Sequence, residues 1–219
     1  MPAVLGALTG AFVSFIPLYF IQNRAFKIEE KIRASEYKRS QQALGRSLLF
    51  KLTRIHSDIF KIHQYIEDSL RQFELDPANI EPWQILRQLA YVPPDTISIS
   101  SEELGMLFSL GDGELFNTIL NLEVAHNEVL SEANLYGKLR NELHEKIPVS
   151  QINGTIAKMD LESLEMLPKV KGEMAAINNF IKTWQNHSAR YTYDSKQALE
   201  KLDQLLQNKL DLYQKVEFK

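Results

Sequence analysis

Six aliphatic side chains, Leu48, Leu52, Ile55, Ile59, Ile62 and Ile66, recur at spacings of 4, 3, 4, 3 and 4. That alternation places all six on one stripe of an α-helix and on no single face of a strand. Leu44, Leu49, Phe60 and Leu70 widen the stripe, as a helix in a bundle requires. A second seam runs through Leu115, Ile119, Leu122, His126, Val129, Ala133, Tyr136, Arg140, Leu143 and Ile147. Pro148 predicts its end. Pro168 predicts a kink or interruption in a third helix over about 156–187, whose seam is Val170, Met174, Ile177, Ile181 and Trp184. Asp194 reads as the N-cap of a fourth helix carrying Leu199, Leu202, Leu206, Leu210 and Tyr213, with Tyr191 and Tyr193 bracketing an interhelical turn. Val149–Thr155, with Asn153-Gly154, reads as a turn. The predicted fold is all-α, an antiparallel bundle of about four main helices plus short connecting ones.

The connection at about 76–113 is irregular. Pro82 fits the first residue of a short helix through Trp83, Ile85, Leu86 and Leu89. Ser100 and Glu103 fit a capping box, and Gly111-Asp112-Gly113 a break.

Ahead of the bundle, Ala3 to Ile21 is a run of 19 residues without a charge. As a helix it measures about 28 Å, close to the ~30 Å hydrocarbon core of a bilayer. No basic residue precedes it and no small-x-small cleavage site follows, so an uncleaved transmembrane anchor over 1–22 is expected rather than a removable signal. Arg24, Lys27, Lys31, Arg33, Lys38 and Arg39 follow it. By the positive-inside rule the N-terminus lies outside and the rest is cytoplasmic, a single-pass layout suited to a cell (inner) membrane. Residues 23–43 then form a basic juxtamembrane helical stalk, and 44–219 the cytoplasmic bundle. Gly6, Gly10 and Ser14 form a small-xxx-small row through which two such helices can pack closely, so a homo-oligomer is expected.

Charge divides along the chain. Residues 22–75 hold 11 Lys/Arg and 7 Asp/Glu, and residues 76–219 hold 14 and 21. The net charge of −3 argues against nucleic acid as a partner. With no cysteine there is no disulfide, thiolate metal site or cysteine nucleophile. Glu123-Val-Ala-His126 matches one half of a di-iron bundle motif, but the second half is absent. His56, His63 and Glu67 share a helical face and flank the apolar seam. His144 and His187 show no partner in the sequence. Neither a phosphate-binding loop, a G-x-G-x-x-G nor a G-x-S-x-G occurs. The sequence therefore predicts no catalytic residues, cofactor or metal ligands.

The layout resembles that of small bacterial membrane proteins with one N-terminal anchor and a cytoplasmic helical domain. That resemblance is to an architecture and implies no activity. The expectation drawn from the residues is a non-enzymatic, membrane-anchored interaction or scaffold protein whose partners are the lipid bilayer, a second copy of itself and a cytoplasmic protein. The alternatives are a membrane-anchored ligand or stress sensor, or a membrane effector triggered by assembly.

Overall fold

The computed structural model describes residues 2–74, 81–90, 92–93, 96–147, 149–153, 156–159 and 168–212, with the backbone alone for 2–20, 72–74 and the 149–159 segments. Three long helices dominate these described residues: α1 (Pro2–Glu74), α4 (Gly113–Lys146) and α5 (Pro168–Leu210). Two short ones, α2 (Pro82–Ile85) and α3 (Ser101–Leu110), lie between α1 and α4. A two-stranded antiparallel hairpin, β1 (Val149–Asn153) and β2 (Ile156–Met159), joins α4 to α5. Among the described residues the fold is all-α apart from that hairpin.

The seams pack as their spacing dictates. Leu48, Leu52, Ile55, Ile59, Ile62 and Ile66 are all buried. So are Leu115, Ile119, Leu122, Val129, Ala133, Tyr136 and Leu143 on α4. On α5, Ile177, Ile181, Trp184, Leu199, Leu202 and Leu206 face inward. Gly45 leaves room for the Leu206 side chain of α5 to pack against the α1 backbone, since a Cβ there would stand 2.7 Å from a methyl of Leu206. Beside it, Gln42 donates to the Leu210 carbonyl at 2.7 Å, and Lys38 pairs with Asp211 at 2.5 Å. Both contacts satisfy or flank the open C-terminal end of α5.

The irregular connection is ordered by local chemistry. Ser100 accepts from the Glu103 N–H at 3.2 Å while Glu103 accepts from the Ser100 N–H at 2.7 Å, the reciprocal box that starts α3. Gly111 ends α3 in the left-handed conformation at φ 85°, and Asp112 caps α4 through the Leu115 N–H. Glu103 also binds the Lys51 ammonium and the Ser47 hydroxyl of α1. Burial opposes its charge, but these partners outweigh burial and hold its carboxyl below the ordinary value. On the other side, Asn178 accepts from the Trp83 N–H, and the buried Tyr136 hydroxyl donates to the Leu86 carbonyl.

Three expectations change. The fourth main helix is absent, because α5 runs unbroken through 187–195, where a turn was expected. Pro168 is the first residue of α5 rather than a kink inside it, the one helical position where its missing N–H costs nothing. Val149–Asn153 and Ile156–Met159 are strands rather than a turn and the start of a helix, in keeping with β-branched residues around an Asn-Gly signal.

Every residue from 21 to 40 of α1 is exposed. At about 1.5 Å per residue, residues 21–37 carry α1 roughly 25 Å past the Lys38–Asp211 contact. Among the described residues no helix is long and apolar enough to cross a membrane. The side chains of residues 1–20, which carry the expected anchor with Gly6, Gly10 and Ser14, lie outside the described residues.

The continuity of α5 has a direct consequence. Tyr193→Pro should cost about 3 kcal/mol or more, because a mid-helix proline loses a hydrogen bond and clashes with the preceding turn. Tyr193→Ala should change stability little, since that side chain is 62% exposed. Thermal unfolding of both variants checks this; a tolerated proline would restore the turn.

Candidate functional site

The core is not apolar throughout. One apolar cluster ends at Ile59, Leu122 and Ala198, and the other begins at Ile62, Val129 and Trp184. Between them lies a belt of polar side chains. His56 Nδ1 stands 2.8 Å from Ser195 Oγ, and His63 Nδ1 stands 3.3 Å from Ser188 Oγ. His126 Nε2 lies 3.2 Å from Asp58 Oδ2. Ser188, Ser195 and His126 are fully buried. Seven residues forward on α1 correspond to seven residues back on α5, the register of an antiparallel pair. Gln185 continues it by donating to Glu67 at 2.7 Å.

The proton positions decide what these pairs do. Ser195 donates to the Thr192 carbonyl and Ser188 to the Gln185 carbonyl, both at 3.0 Å. With each hydroxyl proton directed to its own helix in this way, the imidazole Nδ1–H is the group that donates to the serine oxygen. A nucleophilic serine needs the reverse, with imidazole accepting the proton. Both pairs join α1 to α5. Burial, then the Lys196 charge, lowers the His56 pKa against the pull of the Thr192 carbonyl, which favours the neutral ring.

Outside the belt, α4 and α5 meet in a second polar constellation. Glu128 and Glu132 lie one turn apart on α4, and His187 and Tyr191 lie one turn apart on α5. His187 Nδ1 stands 2.8 Å from Glu132 Oε1, and the Tyr191 hydroxyl donates to Glu128 Oε2 at 2.9 Å. One donor atom from each of Glu128, Glu132 and His187 falls within 4.8 Å of the others. Glu132 Oε2 is shut off from water and has no hydrogen-bond partner among the described residues. Burial, reinforced by the Glu128 charge, raises the Glu132 pKa in spite of His187. Burial and the hydrogen bond to Glu128 likewise raise that of Tyr191.

This constellation opens on a groove of about 490 Å³ between α4 and α5. Glu128 and Tyr191 belong to both the constellation and the groove. Farther along, Lys201 approaches Glu114 at 3.4 Å and Arg190 approaches Asp194 at 3.6 Å. The groove wall therefore carries both signs of charge, with the exposed Val124 among them.

The histidines distribute differently from the sequence reading. His56, His63 and Glu67 share a face but do not converge; each takes a separate partner on α5. His126 is a core histidine paired with Asp58, away from any second Glu-x-x-His. His187, read as having no partner, pairs with Glu132. The sequence offers no metal-ligand set because the three donors come from two helices, 55 residues apart at the His187–Glu132 pair. The available signal was the 4-residue spacing of Glu128 and Glu132 facing that of His187 and Tyr191. Arg24, Lys27, Lys31, Arg33, Lys38 and Arg39 all lie on the exposed stretch of α1, where Arg33 pairs with Glu29 at 2.5 Å. Comparison with family models, curated proteins and solved structures gives no match.

A raised carboxylate pKa is a statement about stability. Below the unfolded value, about 4.3, Glu132 is neutral in both states and costs nothing. As pH rises through that value to the raised folded one, ionisation increasingly penalises the fold, fully so above it. Glu132→Gln keeps an oxygen for His187 and removes the charge. With a chelator present it should raise the melting temperature at pH 8, with the gain vanishing near pH 4. A destabilised variant at pH 8 would contradict the assignment.

Proposed function

We propose that this chain is a membrane-anchored, non-enzymatic helical interaction module, self-associating through its anchor. The observation that carries this reading is the course of α1. One unbroken helix joins the apolar run at 3–21, an exposed stretch bearing Arg24, Lys27, Lys31, Arg33, Lys38 and Arg39, and the bundle itself. Residues 1–22 serve as the anchor and 23–43 as the stalk, with the bundle in the cytoplasm by the positive-inside rule. The stalk's basic residues meet anionic headgroups at about 1 kcal/mol each near the surface. Anchoring confines the bundle near the bilayer and raises its effective concentration toward a cytoplasmic partner or a second copy. Gly6, Gly10 and Ser14 supply the small row for close helix packing. A second reading, a membrane-anchored ligand sensor, is favoured by the polar groove between α4 and α5, whose helix α5 packs directly on α1.

Sidedness tests the proposal. The native chain has no cysteine. Asn186→Cys therefore places a single exposed thiol on α5. A membrane-impermeant maleimide should label it in lysed cells and not in intact ones, with the chain in the membrane fraction. Labelling of intact cells, or recovery of the chain outside the membrane fraction, would overturn it. In the same membranes, Gly10→Ile should lower the cross-linked dimer fraction; an unchanged fraction would remove self-association through this row.

A further inference from the structure

We propose that Glu128, Glu132 and His187 bind a divalent first-row transition ion, of the zinc class, clamping α4 to α5 beside the groove. Two carboxylates and an imidazole form a donor set that suits zinc and its neighbours better than the all-oxygen shells preferred by calcium and magnesium. Donors about 2.1 Å from a tetrahedral ion stand about 3.4 Å apart. The three donor atoms lie within 4.8 Å of one another, so closing on an ion takes a shift of about 1.4 Å at the longest possible pair.

Two further observations point to a cation rather than to a self-contained hydrogen-bond network. Glu132 Oε2 is buried without a partner, so half of this carboxylate has left water for nothing that the described residues supply. And the ion pairs of Lys51, Lys146, Arg190 and Lys201 go to Glu103, Glu173, Asp194 and Glu114, not to Glu128 or Glu132. The surroundings are already arranged to orient the ligands. Tyr191 holds Glu128 by its hydroxyl, and the His187 ring lies 6.0 Å from that of Tyr191, one turn along α5. Such outer contacts fix ligand orientation in metal sites.

Binding by Nδ1 replaces the proton that His187 shares with Glu132 Oε1; in the neutral ring that proton moves to Nε2. Three protein donors leave at least one position on the ion for water or a small anionic ligand. Glu128 is exposed and lines the groove, which gives such a ligand its route in. This inference is independent of membrane attachment and stands or falls separately from it.

The test is calorimetric titration of zinc ion alone into the metal-free full-length chain in detergent. One ion per chain is expected. Glu132→Gln and His187→Asn should each weaken binding at least tenfold, and zinc should raise the melting temperature of the native chain but of neither variant. Circular dichroism verifies that the variants fold; if Glu132→Gln does not, Glu128→Gln at the exposed ligand replaces it. Absence of saturable binding, affinity unchanged in the folded variants, or equal preference for magnesium or calcium would each overturn the site.

Discussion

The rest of the bundle depends on the hydrogen bonds that His56 and His63 of α1 make to Ser195 and Ser188 of α5. A long heptad seam of aliphatic residues fixes which faces meet, but it tolerates sliding by one heptad. Buried polar groups do not, because a slip leaves donors without acceptors in a medium that cannot solvate them. Two pairs a heptad apart, with Asp58 and His126 at the same level, therefore set the register of α1 against α5. That register then sets the levels at which Gln42 meets the Leu210 carbonyl, Lys38 meets Asp211 and Gln185 meets Glu67.

Much of this is legible in the sequence. The 4-3 spacing marks α1 and α4 because their seams are filled by apolar side chains almost without interruption. The Ser100–Glu103 box and Gly111 mark the ends of α3 because capping is local chemistry. The seam of α5 was legible only in halves. Ser188 and Ser195 occupy seam positions there, and a hydrophobic pattern counts them as gaps. Their partners lie 125 and 139 residues away on α1, beyond any local rule. Pro168 misled for the opposite reason, since the same residue breaks a helix in its interior and opens one at its first turn. The Glu128, Glu132 and His187 constellation was hidden in the same way as the serine pairs. Each half is an ordinary i, i+4 pair on a helix surface, and only the packing of α4 on α5 joins them.

The polar belt and the outer constellation occupy the same level of the bundle. Glu128 and Glu132 flank the turn after His126, and His187 precedes Ser188. Register along α1 and α5 thus also determines where His187 stands relative to α4. A displacement of α1 would reach that histidine through Ser188. The exposed basic stretch is the N-terminal continuation of the same helix, so the proposed membrane attachment and the polar level share one continuous element. A continuous helix permits coupling between its two ends without establishing it.

The register is tested most directly by a double-mutant cycle on His63 and Ser188. His63→Ala, Ser188→Ala and the double variant are compared by equilibrium unfolding. The expected coupling energy is about 0.5–3 kcal/mol, as for residues in direct hydrogen-bonded contact. His63 with Ser195, one heptad out of register, should add within about 0.5 kcal/mol. Additive effects for His63 and Ser188, or coupling of His63 to Ser195 instead, would contradict the pairing on which the bundle is built.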